Sequence, residues 1–224
     1  MQPIKGVIFD CDGVLVDSEI IASKVSLREL KKFGFEMSID EYSRQFAGKV
    51  EEDIMNIIKT KYNISLPEDF IPNIRLEIDK ALDHDLEPIK GVKDTISNIK
   101  STLAVVSNSR LHRVLHSLKI AGLSEFFNKN VFSAEMVEKP KPDPALYKLA
   151  ATELNLNPSE CLVVEDSFSG VTSAYNAGMN VIGFLGASHI HNGHDIKLKE
   201  AGAFTTANHM EHLKEILFQI LNKN

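Results

Sequence analysis

The chain lacks several features that would assign it to a specialised class of protein. It has no low-complexity tract and no internal repeat, and it contains only two cysteines, Cys11 and Cys161, both in apolar runs. A chain of 224 residues can bury enough core to fold without disulfides. We therefore interpret both cysteines as free thiols of a reducing compartment.

Long apolar segments and concentrated positive charge are also missing. No apolar stretch approaches the roughly 20 residues that span a bilayer, and the residues after Met1 do not resemble a secretory signal. The net charge is −6 and the 25 Lys and Arg residues are scattered, whereas nucleic-acid binding favours a concentrated basic face. We expect a cytoplasmic monomer or weak homodimer that binds neither membranes nor nucleic acid.

The hydrophobic pattern alternates between short strands and helices, with one interruption. Apolar runs typical of buried parallel strands occupy residues 4–9, 103–106, 131–133, 161–164 and 181–185. Helical patterns separate the later runs, a short apolar piece follows near Phe204, and a closing helix is expected around 213–221. Repeated βα units predict an α/β fold, a doubly wound parallel sheet (Rossmann-like core) with helices on both faces.

The interruption is a block between the first two strands that shows only helical patterns. Helices are predicted at residues 19–33, 39–46, 51–62 and 67–82. In the third, Ile54, Ile57 and Ile58 recur on one helix face. The block predicts a small helical cap domain, residues 18–87, inserted after the first strand into a core of residues 1–17 and 88–224.

Polar side chains follow the strands at the edge where such sheets bind ligands. Four strand ends or loops deliver acids, a hydroxyl, an amide and lysines: Asp10, Asp12, Ser107, Asn108, Lys139, Lys141, Glu165 and Asp166. Each motif alone is usually a turn or a helix cap. Together they indicate more, because gathered carboxylates repel one another unless a cation lies among them, and such oxygen ligands suit Mg²⁺. The set predicts metal-assisted phosphoryl transfer.

The first of these motifs resembles a known family. Residues 7–18, Val-Ile-Phe-Asp-Cys-Asp-Gly-Val-Leu-Val-Asp-Ser, are similar to the first motif of the haloacid dehalogenase superfamily, and most similar to its β-phosphoglucomutase-like sugar-phosphate phosphatases. The resemblance covers nearly the whole chain. It implies that Asp10 is the nucleophile that forms an aspartyl-phosphate, and that Asp12 is the general acid and then the general base. Asp12 also argues against dehalogenation, because a halide leaves unprotonated.

The resemblance assigns the remaining motifs as well. It implies that Ser107 hydrogen-bonds a phosphoryl oxygen, with Asn108 beside it at the substrate. A lysine would neutralise the developing charge. Mg²⁺ would be the cofactor, and its protein ligands would be the Asp10 carboxylate, the backbone carbonyl of Asp12, Glu165 and Asp166.

Two lysines compete for the charge-neutralising role. The family pattern is Lys-Pro-x-Pro, with an aromatic or apolar residue six places after the lysine at the start of the next helix. Lys141 fits this pattern, with Tyr147 in the sixth place, and Lys139 does not. We therefore favour Lys141 and keep Lys139 as the alternative.

The cap sequence favours a phosphatase over a sugar phosphomutase, which is the main alternative. The mutases have a cap histidine where this chain has Ala22, and an arginine where it has Glu51, although Lys49 offers a charge nearby. The expected substrate is a small phosphorylated metabolite, a sugar phosphate or phosphorylated sugar acid. Candidate substrate contacts in the cap are Gly48, Lys49, Glu51 and Glu52.

Two further interpretations carry less weight. A phosphoaccepting signalling module also uses a strand-end aspartate, a hydroxyl and a lysine around Mg²⁺, but it accounts for neither the insertion nor the acid at Asp12. The histidines His189, His191 and His194 lack the further ligands that a zinc site needs. They are interpreted as part of a solvated loop.

The lysine assignment makes a prediction. Lys141→Ala should reduce phosphatase activity far more than Lys139→Ala, because only Lys141 lies in the motif that places a cation beside the reacting phosphate. Steady-state phosphate release from the two purified variants measures the difference. The reverse ranking would show that the motif has been aligned two residues out of register.

Overall fold

A six-stranded parallel sheet forms the centre of the protein. A computed structural model describes residues 2–46, 49 and 51–222. The strands, in chain order, are β1 (Gly6–Phe9), β2 (Thr102–Ser107), β3 (Val131–Ser133), β4 (Cys161–Glu165), β5 (Asn180–Phe184) and β6 (Thr205–Ala207). Their spatial order is β3-β2-β1-β4-β5-β6, and every pairing is parallel. The predicted α/β fold is confirmed.

The central strand β1 determines where the polar strand ends meet. Phe9 pairs with Val105 of β2 on one side and with Val164 of β4 on the other. The backbone N–H of Asp10 then donates to the Val164 carbonyl at 3.0 Å. From β1 the chain first adds β2 and β3 on one side of the sheet and then adds β4, β5 and β6 on the other. At such a topological switch point the carboxyl ends of β1, β2 and β4 enclose a crevice of the kind that binds ligands.

Helices cover both faces of the sheet. Neighbouring residues of β1 contribute to separate hydrophobic clusters, Val7 and Phe9 to one and Ile8 to the other, as expected for a strand whose side chains alternate between two packed faces. The core helices are α5 (Val92–Ser97), α6 (Leu111–Ile120), α7 (Ser124–Phe127), α8 (Ala145–Glu153), α9 (Phe168–Asn176), α10 (His194–Glu200) and α11 (Met210–Leu221). Of these, α5, α7 and α10 were not predicted from the sequence.

In the part of the chain that the structure describes, four helices fill the inserted segment after β1 and before α5: α1 (Glu19–Lys31), α2 (Ile39–Phe46), α3 (Glu51–Lys61) and α4 (Phe70–Asp85). The last begins three residues later than predicted, after a turn at residues 68–69. The segment leaves and re-enters the core at one place, because Asp17 N–H donates to the Glu87 carbonyl at 3.0 Å and Ile89 N–H to the Leu15 carbonyl at 3.0 Å. This crossing lies at the expected limits of the cap, whose status as a separate domain stays a prediction.

The cysteines and the helix lengths bear on two further expectations. Cys11 and Cys161 are free and buried, so the interpretation as unpaired thiols is confirmed. Among residues 2–46, 49 and 51–222, every helix is too short or too polar to cross a membrane.

Gly170 makes room for a buried carboxylate. A Cβ atom at this position of α9 would lie 1.7 Å from Glu165 Oε1 and 2.3 Å from Oε2. Gly170→Ala should therefore lower the free energy of unfolding by about 1–3 kcal/mol, as overpacking does in a dense core, although alanine is the better helix former. Urea denaturation followed by circular dichroism measures the change.

Asn176→Ala, an exposed change in the same helix, is the matched control and should alter stability by less than about 0.5 kcal/mol. A Gly170→Ala variant as stable as the control would contradict the close packing of Glu165.

Candidate active site

A buried lysine joins the ends of three strands. Lys141 Nζ donates to Asp10 Oδ1, to Glu165 Oε1 and to the Val106 carbonyl, each at 2.7 Å. An ammonium group has three N–H donors, so this side chain is fully satisfied. Lys141 is buried whereas Lys139 is exposed. The structure thus brings the favoured lysine, and not the alternative, to Asp10.

Asn108 holds the lysine loop through its backbone. Its Nδ2 donates to the Lys141 carbonyl at 3.1 Å, and its Oδ1 accepts from the Lys141 N–H at 3.0 Å. Both ends of the amide are therefore engaged with the chain itself. The expected contact between Asn108 and substrate stays a prediction, and the contacts that the structure shows for this side chain are with the backbone of Lys141.

Glu165 is enclosed by hydrogen-bond donors. The Tyr147 hydroxyl donates to its Oε1 at 3.1 Å, and Ser167 donates to its Oε2 from both the backbone N–H, at 3.1 Å, and the hydroxyl, at 3.0 Å. With Lys141 added, both carboxylate oxygens have partners. Tyr147, which the sequence provided only as a marker of the lysine motif, is part of this network.

Three buried carboxylates form a candidate metal site. Oxygen atoms of Asp10, Glu165 and Asp166 all lie within 4.8 Å of one another. Burial raises the pKa of Asp10 well above its usual range, and the neighbouring carboxylates add to the increase while Lys141 opposes it. A cation among these oxygens would relieve the repulsion, so the residues present fit Mg²⁺. The Asp12 side chain is outside the cluster, and the expected contribution of its backbone carbonyl stays a prediction.

Asp12 accepts hydrogen bonds from three serine hydroxyls. Ser18 donates to Oδ1 at 2.5 Å, and Ser107 and Ser109 donate to Oδ2 at 3.2 and 2.7 Å. Burial favours the neutral acid, but Arg113 and the three hydroxyls outweigh it and lower the pKa of Asp12. The hydrogen bonds and the charge of Arg113 therefore favour the ionised form of the Asp12 carboxyl group.

The serines around Asp12 include two that the sequence analysis missed. Ser107 was expected to bind a phosphoryl oxygen, and here its hydroxyl donates to Asp12 and accepts from the Ser109 N–H at 3.0 Å. Its expected contact with phosphate stays a prediction. Ser18 is the last residue of the motif at residues 7–18, and Ser109 lies two residues after Ser107. These positions next to predicted site residues were the sequence signal that could have identified them.

The histidine loop is not solvated throughout, so that interpretation is wrong for His189, which is buried. His189 is buried with Nε2 3.1 Å from Asp166 Oδ2, and His194 Nε2 lies 2.5 Å from the Asp166 carbonyl oxygen. Asp166 outweighs the effect of burial and raises the pKa of His189. Gly13 at φ +81° leaves room for the pair, because a Cβ there would lie 2.0 Å from Asp166 Oδ2.

A cavity of about 190 Å³ separates these residues from the inserted helices. Of the predicted cap contacts, Lys49, Glu51 and Glu52 line it, and Gly48 lies outside the described residues. Arg75 of α4 pairs with Glu52 at 2.6 Å and with Glu51 at 3.4 Å. The lining residues that the sequence analysis did not identify include Glu19, Ser23, Ser26, Tyr42, Arg75 and Arg113.

Glu19 contributes a partly buried carboxyl group to this wall. Burial, with the negative charges of Asp12 and Asp166, raises its pKa from 4.5 to about 7, against the opposing effect of His189 and Arg113. The group therefore changes its charge near neutral pH inside the cavity.

Comparison with known proteins gives consistent matches. Residues 7–184 match the family model of haloacid dehalogenase-like hydrolases. The 6-phosphogluconate phosphatase of Escherichia coli (strain K12) is 33% identical over 190 residues, 84% of this chain and 86% of that protein. The phosphorylated carbohydrates phosphatase of Thermotoga maritima is 31% identical over 224 residues, 97% of this chain and 100% of that one. A conserved haloacid dehalogenase-like protein from Agrobacterium tumefaciens has a TM-score of 0.90 at 35% identity, covering 96% of this chain and 98% of that chain.

The fold and the site define an α/β enzyme whose strand-end carboxylates and lysine are arranged for hydrolytic chemistry. The chain belongs to the haloacid dehalogenase-like hydrolase family, and its relatives named as phosphatases place it among the phosphatases of that family. The family resemblance and the enzyme class inferred from the motifs are both confirmed.

The pKa of Glu19 predicts a pH-dependent difference in stability. An acid whose pKa is raised on folding makes the folded state less stable as the pH rises from about 4.5 to about 7, since the unfolded chain releases the proton first. Glu19→Gln removes this effect. Its gain in unfolding free energy over the natural protein should be about 2 kcal/mol larger at pH 8 than at pH 5.

Urea denaturation at pH 5 and at pH 8, in the presence of a chelator, measures the unfolding free energies of Glu19→Gln and of the natural protein. Glu68→Gln, which removes a charge from the exposed surface, is the control for a general effect of net charge. A Glu19→Gln gain that is the same at both pH values would show that Glu19 does not titrate in this range.

Proposed function

We propose that this enzyme is an Mg²⁺-dependent phosphatase that hydrolyses a small phosphorylated sugar or sugar acid through an aspartyl-phosphate intermediate. The observation that carries the proposal is the buried Lys141 that donates to Asp10, beside the cluster of the Asp10, Glu165 and Asp166 carboxylates, at a cavity that Asp10, Lys141 and Asp166 line. The names of the relatives, phosphatases of 6-phosphogluconate and of phosphorylated carbohydrates, support the substrate class. We further propose that it acts as a cytoplasmic monomer or weak homodimer.

The carboxylate cluster would hold the metal. Asp10, Glu165 and Asp166 supply side-chain oxygens, and the backbone carbonyl of Asp12 is the proposed fourth protein ligand. Bound Mg²⁺ would supply positive charge to the phosphoryl oxygens. Glu165 already accepts from Lys141, so the same carboxylate would link the metal to the lysine.

The first chemical step belongs to the two aspartates. A carboxylate oxygen of Asp10 attacks phosphorus, and the bond from phosphorus to the ester oxygen breaks. The departing oxygen takes a proton from Asp12, while Lys141 stabilises the charge on the phosphoryl oxygens. Asp12 must gain a proton beforehand. A phosphate anion beside it favours that, because nearby negative charge raises the pKa of a carboxyl group.

The second step restores the enzyme. Asp12, now ionised and held by its serine hydroxyls, accepts a proton from water as the water oxygen attacks phosphorus. The bond between phosphorus and Asp10 breaks, which releases inorganic phosphate and the free carboxylate. The hydrogen bonds that lower the pKa of Asp12 suit it to this half of the cycle.

The cavity wall favours hydrolysis over phosphoryl return to a sugar. Ala22, in the place of the mutase histidine, lines the cavity without a group that can move a proton. Glu51, in the place of the mutase arginine, is paired with Arg75. Phosphate release across a panel of phosphorylated metabolites, with and without a sugar bisphosphate, distinguishes the two activities, since a mutase needs the bisphosphate.

The nucleophile assignment predicts the outcome of removing one charge. Asp10→Asn should abolish multiple-turnover phosphate release, and Asp12→Asn should slow it by about 10²–10⁴-fold, the usual contribution of a positioned acid or base. Chelation should silence the natural enzyme, and added Mg²⁺ should restore it. A colorimetric phosphate assay measures all three.

Asp53→Asn, an exposed change in α3, is the matched control and should leave turnover unchanged. Near-normal Mg²⁺-dependent turnover by Asp10→Asn would refute the nucleophile assignment. Unchanged phosphate release by the natural enzyme in the presence of the chelator would refute the proposed requirement for Mg²⁺.

A further inference from the structure

Arg113 differs from the other arginines of the cavity in how its guanidinium is paired. It lies near the start of α6 with a side chain 13% exposed. Its Nη1 is 3.9 Å from Glu51 Oε1, longer than a hydrogen bond. Its Nε is buried without a hydrogen-bond partner among residues 2–46, 49 and 51–222. Arg75 and Arg110, by contrast, each have a closer carboxylate, Arg75 at 2.6 Å from Glu52 and Arg110 at 3.5 Å from Asp79.

A buried, incompletely paired guanidinium is costly unless something completes its hydrogen bonds. Arg113 lines the same cavity as Asp10 and Asp12, and its charge acts on Asp12 strongly enough to lower the pKa of that carboxyl group. A ligand whose phosphate lies at Asp10 therefore shares this cavity with Arg113. Its other end is the group available to pair with the guanidinium.

The surroundings of Arg113 select the kind of anion. Asp12, Glu51 and Glu19 all place negative charge near the guanidinium, so a second phosphate dianion would meet more repulsion than a monoanion. A carboxylate is planar and carries a single charge, and it matches the arginine fork with two parallel hydrogen bonds. Ser23, Ser26 and Tyr42 also line the cavity, and their hydroxyl groups suit a polyhydroxylated chain.

We propose that Arg113 is a specificity-determining residue that binds the carboxylate of a phosphorylated sugar acid, which makes such acids better substrates than phosphorylated sugars with a neutral end. This inference rests on the proposed phosphatase function and narrows its substrate class. It assigns a role to a side chain outside the four family motifs.

The test compares two matched substrates, a phosphorylated six-carbon aldonic acid and the alditol phosphate in which CH₂OH replaces the carboxylate. The natural enzyme should favour the acid by at least about tenfold in kcat/KM. Arg113→Gln should lower kcat/KM for the acid by about 10–100-fold, mainly through KM, and should change the alditol phosphate by less than about threefold. Arg113→Lys, which keeps the charge without the fork, should retain part of the preference.

Arg110→Gln is the matched control, since Arg110 lines the cavity but has Asp79 as its partner. It should retain the preference for the acid. An equal loss of preference in this variant would overturn the assignment to Arg113. So would an equal fall in kcat for both substrates with Arg113→Gln, because that result would mean that Arg113 only positions Asp12. If Arg113→Gln lowers kcat/KM more for a sugar bisphosphate than for the sugar acid phosphate, the assignment of a carboxylate as the partner of Arg113 is overturned.

Binding provides a readout that does not need turnover. Calorimetric titration of Asp10→Asn with the aldonic acid phosphate should show binding that is at least about tenfold weaker when Arg113→Gln is added, and the Arg113→Lys double variant serves if the glutamine variant does not fold. If the natural enzyme hydrolyses neither compound and neither binds, both the proposed function and this inference fail. If it hydrolyses both with a ratio near one that Arg113→Gln leaves unchanged, only the inference fails.

Discussion

The contact on which the rest of the site depends is the buried ammonium group of Lys141 between Asp10 and Glu165. Charges removed from water are stable only when each is paired and hydrogen-bonded, and here one ammonium serves two carboxylates and a backbone carbonyl. Despite burial, the two carboxylates raise the pKa of Lys141, so the group remains charged. The strand register, the absence of a side chain at Gly170 and the donors around Glu165 all serve to keep this network closed.

That network also explains how two aspartates two residues apart acquire different properties. Asp10 points into the carboxylate cluster, where burial and like charge raise its pKa. Asp12 points toward three hydroxyls and Arg113, which lower its pKa. Environments that push the pKa values of neighbouring acids apart are how active sites divide roles between chemically identical groups. Arg113 contributes to this division, and its buried Nε has no hydrogen-bond partner in the part of the chain that the structure describes.

Much of the fold was predictable from local patterns, because buried parallel strands leave an unambiguous apolar signature. The strands and the block of inserted helices were located to within a few residues. The helices α5, α7 and α10 were missed because each has seven residues or fewer, too short for a periodic pattern to emerge. The interpretation of His189 as part of a solvated loop was wrong. It considered only the sequence neighbours of His189, whereas the partner of this side chain, Asp166, is remote along the chain.

The sequence by itself determined the parallel α/β fold and the family, and it located the candidate residues for the chemistry, since strand-end motifs are local and their residue types are specific. Tertiary structure alone decided how those residues are paired. The lysine lies 131 residues from Asp10, and the serine hydroxyls, His189 and Arg113 reach their partners only through packing. Hydrogen-bond partners and pKa values depend on distance and burial in space, which no local pattern encodes.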